Sequence, residues 1–429
     1  MSEFIEINGG VPLRGTVKIG GAKNAALPML IASLLTSESV EFENVPNLED
    51  VNLTLNLLEH FGGHVEFFGS HAKVAVPQLI ATEASYSLVK ALRASFWVLA
   101  PVLARGGAAR VALPGGDIIG ARPVDMHMAG LTSMGADLKL KHGTVYATAP
   151  KGLRPAKIQF RFPSVGATHQ IMMAASLTPG TTTIHGAAKE PEVVALADLI
   201  NKMGGDVEGA GTETIAIHGK EQLGGAKVHL IGDRVEAGTY LLAGVATGGE
   251  VRAEGINPDF FGEFLSILDQ MGVEVERGLD WISARAKQPL KAVNVSTGPF
   301  PQFATDLQAP LMAALCIARG TSSIEENVFE GRYGHVSELC RMGAQISVSE
   351  RTATISGVER LAGAEVEGFD IRAAAALVIG ALAAEGVSSI GEPHHLRRGY
   401  ERLEQKLTGL GARIRSKTSD LEDYLFTGC

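Results

Sequence analysis

Cysteine is scarce: 429 residues carry three, Cys316, Cys340 and Cys429, an odd count with no Cys-X-X-Cys pair. A thiol-based metal or redox motif is thereby excluded, and Cys316, set in an apolar stretch, reads as a small core residue. A positive excess is also missing. The formal net charge is −9, which argues against a general nucleic-acid or anionic-membrane surface, although local basic clusters can still bind phosphate. Long apolar runs are absent too. The longest, near Ala373–Ala384, has about twelve residues, too few to span a bilayer. The first residues, Met1-Ser-Glu-Phe-Ile-Glu-Ile-Asn, have no basic region and no apolar core, so they do not read as a secretory signal. A soluble cytoplasmic protein is expected. No metal-ligand spacing stands out. The adjacent pair His394-His395 is expected to diverge on any regular element, so no metal is assigned to it.

What the chain does have is ordinary globular composition, 45% apolar and 20% charged, at a length that suits two or more domains. Few aromatics (6%) and many glycines (51) fit a fold of short elements and many turns. One pattern recurs six times: an aliphatic residue, two variable residues, Met, Phe or Leu, then Gly, a small residue, a variable residue and an aliphatic one. Examples are Leu58-Glu-His-Phe-Gly-Gly-His-Val65 and Leu268-Asp-Gln-Met-Gly-Val-Glu-Val275. The central glycines, Gly62, Gly135, Gly204, Gly272, Gly343 and Gly411, fall about 70 residues apart, an internal repeat. Each copy predicts a helix that stops at the glycine, followed by a hairpin of alternating strands. Helices mixed with hairpins point to compact α/β units around shared cores.

The most irregular stretch is Leu113–Asp125, Leu-Pro-Gly-Gly-Asp-Ile-Ile-Gly-Ala-Arg-Pro-Val-Asp. Its three glycines and two prolines exclude a regular element. It presents Asp117, Arg122 and Asp125, and such a loop suits closure over an anionic substrate. Composition alone leaves it equally open to be a solvated surface loop.

Pro-Gly-Gly-X-X-Ile-Gly-X-Arg-Pro-Val-Asp resembles the active-site loop of the UDP-N-acetylglucosamine enolpyruvyl transferases, with Asp117 where most members have cysteine. The resemblance extends over essentially the whole chain. It implies a two-domain inside-out α/β barrel of six βαβαββ units. Residues 1–22 and 231–429 would form the first domain; 23–230 would form the second and carry the loop 113–125. The implied reaction transfers the enolpyruvyl group of phosphoenolpyruvate to the 3-hydroxyl of UDP-N-acetylglucosamine, releasing phosphate, at the start of peptidoglycan synthesis. No metal or organic cofactor is implied. Two alternatives stay open: the sibling enolpyruvyl transferase of the shikimate pathway, and a non-catalytic paralogue that binds UDP-N-acetylglucosamine.

Residue by residue, the resemblance assigns Lys23 and Asn24, in Gly20-Gly-Ala-Lys-Asn24, to phosphoenolpyruvate, with Lys23 also catalytic. Arg122, Arg372 and Arg398 join them; an arginine fork pairs well with carboxylate and phosphate. Arg93, Arg122, Pro123, Val124, Asp125 and Met126 are assigned to the sugar nucleotide. So are Ser164, Val165 and Gly166, whose position before a helix suits a diphosphate. Asp306 and Val328 complete that set. Asp306 is the implied base at the sugar 3-hydroxyl, although Thr305-Asp306 alone also reads as a helix N-cap. Asp117 is the proposed general acid in the cysteine's place, and resistance to fosfomycin, which alkylates that cysteine in relatives, follows. Arg332 closes the arginine set. Glu190-Pro-Glu192 is read as structural. Lys90–Ser95 is expected to form one helix face carrying Arg93. Phe162 and Arg397 also depart from the pattern, where many members have lysine and aspartate.

Overall fold

The computed structural model describes residues 2–117, 119–121, 123–287 and 289–419, so Arg122 and Cys429 lie outside the described residues. The chain forms two compact units. One comprises Met1–Gly20, Asp117–Ala121 and Gly232–Cys429; the other comprises Gly21–Gly116 and Arg122–Ile231. The resemblance assigns all of the loop 113–125 to the second domain. Packing divides it instead, and residues 117–121 group with the first unit.

The described residues form six four-stranded sheets with one shared topology. In each, a first strand runs parallel to a second, the second pairs antiparallel with a third, and the third pairs antiparallel with a fourth. In the second unit Ala226–His229 runs parallel to Ser39–Glu43, which pairs with His71–Ala75, which pairs in turn with His64–Phe68. Val40 lies opposite Val74 and Phe42 opposite Ala72, all fully buried, while the residues between them face outward. That alternation is the period-two pattern of a sheet with one covered face. The sixth sheet takes its third strand from the other end of the chain: Ser2–Asn8 pairs with both Val387–Gly391 and Arg413–Ser419.

The repeated motif is a helix C-terminal cap. All six central glycines have positive φ, between 82° and 101°. The amide one residue beyond each glycine donates to the carbonyl of the motif's first aliphatic residue: Gly63 to Leu58, Ala136 to Leu131, Gly205 to Ile200, Val273 to Leu268, Ala344 to Leu339 and Ala412 to Leu407. That bond closes the last helical turn, and only glycine takes the left-handed conformation it requires without strain. The residue before each glycine, among them Phe61, Met134 and Met271, is buried beneath the cap.

Each unit is built around helices buried on every side. In the first unit these are Arg234–Ala246, Gln308–Leu315 and Ile371–Ala383; in the second, Lys23–Ala32 and Val165–Ser176 are covered almost as completely. They show little amphipathic patterning because no face meets water. Sheets outside and helices inside give the inside-out arrangement. No described helix is long and apolar enough to cross a membrane.

Candidate active site

In the first unit three arginines converge on two aspartates. Asp306 sits in the short 3-10 turn Thr305–Leu307 that leads into Gln308–Leu315. Its Oδ1 accepts from Arg332 Nη2 at 2.7 Å and its Oδ2 from Arg372 Nη2 at 3.0 Å. The two guanidinium groups are nearly buried, at 5% and 6% side-chain exposure, against 24% for Asp306. The N-cap reading of Thr305-Asp306 is not what forms: the turn has no side-chain cap. Thr305 Oγ1 instead donates to Glu326 Oε2 at 2.8 Å and accepts from Arg332 Nη1 at 2.9 Å.

Arg372 is placed by its helix. It is the second residue of Ile371–Ala383, whose N-cap Asp370 accepts from the amides of Arg372 and Ala373 at 2.8 and 3.0 Å. Its Nη1 donates to Tyr400 Oη at 3.2 Å, and Tyr400 Oη lies 3.0 Å from Thr239 Oγ1. Burial opposes the Arg372 charge, yet Asp306, Tyr400 and Asp233 outweigh it and raise the Arg372 pKa.

Arg398, near the end of helix His394–Gly399, donates from Nη1 to Asp117 Oδ1 at 2.6 Å. His395 shares this corner. Burial lowers its pKa, His394 and Arg398 add to that, and Asp117 opposes it. The rings of His394 and His395 lie 4.0 Å apart, so the expected divergence of these side chains is corrected. Arg397 makes two bonds to the carboxylate of Glu3. Val328 is exposed, and its amide and that of Phe329 donate to Glu326 Oε1 at 2.8 and 3.0 Å. Glu326 is buried and also accepts from Thr297 Oγ1 at 2.9 Å. It therefore fixes both the Thr305 turn and the Val328 segment.

In the second unit Lys23 begins helix Lys23–Ala32, followed by the half-buried Asn24. Lys23 is buried, and its Nζ is 3.1 Å from Asp50 Oδ2, so it is not a solvated first-turn lysine. Lys90–Ser95 is not one helix face. Tyr86–Val89 ends at Lys90, and Arg93 opens a separate 3-10 segment, Arg93–Val98. From there Arg93 Nη2 donates to the carbonyl of Pro123 at 3.2 Å. Val124 is buried, and exposed Asp125 opens helix Asp125–Ser133 and pairs with Arg161. Met126 and His127 turn inward; burial pushes His127 down to about 4, opposed by its contact with Gln170.

Ser164 caps helix Val165–Ser176, its Oγ accepting from the Ala167 amide at 3.3 Å. A Cβ on Gly166 would fall 3.0 Å from the His127 ring and 3.2 Å from Trp97 Nε1, so a side chain there would press on both rings. The first amides of the helix, Val165 and Gly166 among them, have no intrahelical acceptor and suit an anion. Phe162 is exposed, and the Arg161 guanidinium sits 5.4 Å from its ring centre. Glu190 stands at the N-cap position of helix Pro191–Lys202, and its side chain makes no cap hydrogen bond there.

The sequence reading missed Glu326, Tyr400 and Thr239. Glu326 is one of two consecutive glutamates, and no local signal marks which is buried. Among the described residues, Asp206, Glu208 and His218 are the one group of three ligating side chains within metal-binding distance of each other. Lys220 approaches Asp206 at 3.5 Å and Thr181 meets His218 at 3.0 Å, so side chains of the same surface already engage two of the three.

Comparison with known proteins defines the class. Residues 7–407 match the family described as EPSP synthase (3-phosphoshikimate 1-carboxyvinyltransferase). The crystal structure of the enolpyruvyl transferase NikO from Streptomyces tendae superposes with a TM-score of 0.88 at 28% identity, over 98% of this chain and all of that one. An EPSP synthase structure from Acinetobacter baumannii shares the fold at TM-score 0.73 and 18% identity, over 97% of this chain and 100% of that one. A UDP-N-acetylglucosamine 1-carboxyvinyltransferase 1 from Caldanaerobacter subterraneus is 48% identical over 95% of this chain and 97% of its own length. A UDP-N-acetylglucosamine 1-carboxyvinyltransferase from Trichlorobacter lovleyi is 46% identical over the same shares. The chain therefore belongs to the enolpyruvyl transferase family and, within it, to the UDP-N-acetylglucosamine 1-carboxyvinyltransferases.

Proposed function

We propose that this chain transfers the enolpyruvyl group of phosphoenolpyruvate to the 3-hydroxyl of UDP-N-acetylglucosamine and releases phosphate, the first committed step of peptidoglycan synthesis in the cytoplasm. The observation that carries the reading is the pairing of Asp306 with Arg332 and Arg372, beside a second pair of Asp117 with Arg398. Guanidinium groups placed this way suit the phosphate and carboxylate of phosphoenolpyruvate.

The sugar hydroxyl attacks C2 while C3 gains a proton. Phosphate then leaves the tetrahedral intermediate as a C3 proton is lost. Asp306 takes the hydroxyl proton; Asp117, once phosphoenolpyruvate has drawn Arg398 away from it and it has taken up a proton from solvent, delivers that proton to C3 as general acid. The anionic groups of phosphoenolpyruvate compete with Asp306 and Asp117 for Arg372 and Arg398, and that exchange frees the carboxylates for proton transfer. Lys23, Asn24 and Arg122 share the phosphoenolpyruvate contacts. Arg93, Arg122 and residues 123–126, the start of helix Val165–Ser176 with its cap Ser164, Asp306 and Val328 hold the sugar nucleotide. In this scheme electrostatic stabilisation comes from the cations of the chain itself, and no step calls for a metal or an organic cofactor.

The test is to mix the protein with both substrates and measure inorganic phosphate. Release with UDP-N-acetylglucosamine and none with shikimate 3-phosphate supports the reading. The reverse preference selects the sibling reaction, and sugar-nucleotide binding without phosphate release selects a non-catalytic protein.

A further inference from the structure

Strand Ala108–Ala112 ends just before the loop, and helix Asp125–Ser133 begins just after it. Among the described residues between them none lies in a strand or helix, so the partners of their polar groups decide where the loop rests. The tip rests on the segment 330–331 of the first unit. The Ala121 amide donates to Glu330 Oε1 at 2.9 Å, and the Gly331 amide donates to the Ile119 carbonyl at 3.1 Å. Ile119 is buried, at 5% exposure. Gly120 has φ +137°, and a Cβ there would fall 2.7 Å from a Glu330 carboxylate oxygen. The glycine thus permits a carboxylate to lie directly against the loop backbone. Asp117, two residues before Ile119, reaches Arg398 from this anchored tip.

We propose that Glu330 is a positioning residue for the reaction: its carboxylate pins the loop tip 119–121 and so sets Asp117 against Arg398. This rests on the reading of Asp117 as the general acid. Among the described residues, Glu330 pairs with neither Asp117 nor Asp306 and with none of Arg332, Arg372 and Arg398, so it acts through the loop. It is exposed and holds no core together, which separates a positioning role from a folding role. The bonds from the Ala121 amide and from its own amide lower its pKa, so it is ionised at neutral pH and the bond to the loop is charge-assisted.

The experiment compares Glu330→Ala and Glu330→Gln with the unmodified protein. The first readout needs no substrate: hydrogen exchange of loop peptides spanning 113–124. Glu330→Ala should speed exchange there about tenfold, and Glu330→Gln, which keeps an oxygen acceptor, should restore most of the protection. The second readout is turnover. Glu330→Ala should lower kcat about tenfold, leave KM for the sugar nucleotide within about twofold, and regain activity in Glu330→Gln. The melting temperature should move by no more than about 2 °C, as for an exposed residue. Unchanged loop exchange in Glu330→Ala overturns the proposal, as does a faster-exchanging loop with unchanged kcat. Failure of the unmodified protein to release phosphate would overturn the functional reading alone, because loop exchange is measured without turnover.

Discussion

Arg398 donates to Asp117 across 2.6 Å although 281 positions separate the two in sequence. The arginine on helix His394–Gly399 and the glycine-rich loop meet because residues 117–121 pack within the first unit. Asp117 is therefore a carboxylate already paired with a cation, and its chemistry differs from that of a thiolate.

Fosfomycin should be a poor inactivator of this protein. A thiolate is a far better nucleophile toward an epoxide than a carboxylate. Among the described residues no cysteine lies in the loop: Cys316 is buried and its thiol is pushed up to about 12, chiefly by burial, and Cys340 lies on helix Val336–Arg341. Asp117→Cys should stay active and gain time-dependent inactivation. Asp117→Ala should lose on the order of 10²-fold or more in kcat, the usual contribution of a general acid. Rapid inactivation of the unmodified protein, or full turnover in Asp117→Ala, would refute the assignment.

Asp306→Ala should lower turnover on the order of 10²- to 10⁴-fold while changing sugar-nucleotide affinity much less. The same substitution strips Arg332 and Arg372 of a shared partner. Asp306→Asn keeps the shape and loses the base, so it should be nearly as slow. Steady-state kinetics together with calorimetric titration of UDP-N-acetylglucosamine separate the two effects. Near-normal turnover with merely weaker binding would make Asp306 a binding residue.

Turnover should not require a divalent ion, because Lys23 and the arginines carry the positive charge assigned to substrate anions. Activity after dialysis against EDTA should equal that of the untreated enzyme. Loss of activity on chelation, restored by adding one particular divalent ion, would contradict this.

Stability should fall as the solution is acidified below about pH 6.5, the ordinary histidine value. Burial pushes His127 down to about 4, and His169 and His335 down to about 3. These side chains are neutral in the folded protein. The unfolded chain binds more protons through the window from about 6.5 to 3, so the stabilisation is complete above that window and is lost as pH falls through it. Each histidine costs on the order of a few kcal/mol of stability once the pH lies below its folded value, and nothing at neutral pH. Melting temperatures measured from pH 7.5 to 4.5 should drop steadily, and His335→Leu should flatten the slope. A slope unchanged by that substitution would remove His335 from the account.

Much of the architecture was legible in sequence because it is local. The motif around Gly62 and its five counterparts names a helix end, and a helix end depends on the φ of one residue and the burial of its neighbours. The loop was legible for the same reason: among its described residues the glycines and prolines leave no regular element before helix Asp125–Ser133. The helix expected over Lys90–Ser95 was not obtained. Leu92, Ala94 and Ser95 are buried there, and the chain breaks after Val89 to place them, a tertiary demand that local propensity does not register.

By itself, then, the sequence determined the sixfold repeat, the capped helices and the identity of the charged residues, because each follows from side-chain chemistry within a few positions. Only the tertiary structure decided which charges meet. Lys23 lies against Asp50, Asp306 lies between Arg332 and Arg372, and Asp117 lies against Arg398. It also picked out Glu326 and Glu330, which look alike in sequence: one is buried and collects four donors, and the other lies exposed against a loop amide. The physical reason is that the strength and partner of a charge depend on distance and burial, and both are set by packing between segments tens to hundreds of residues apart.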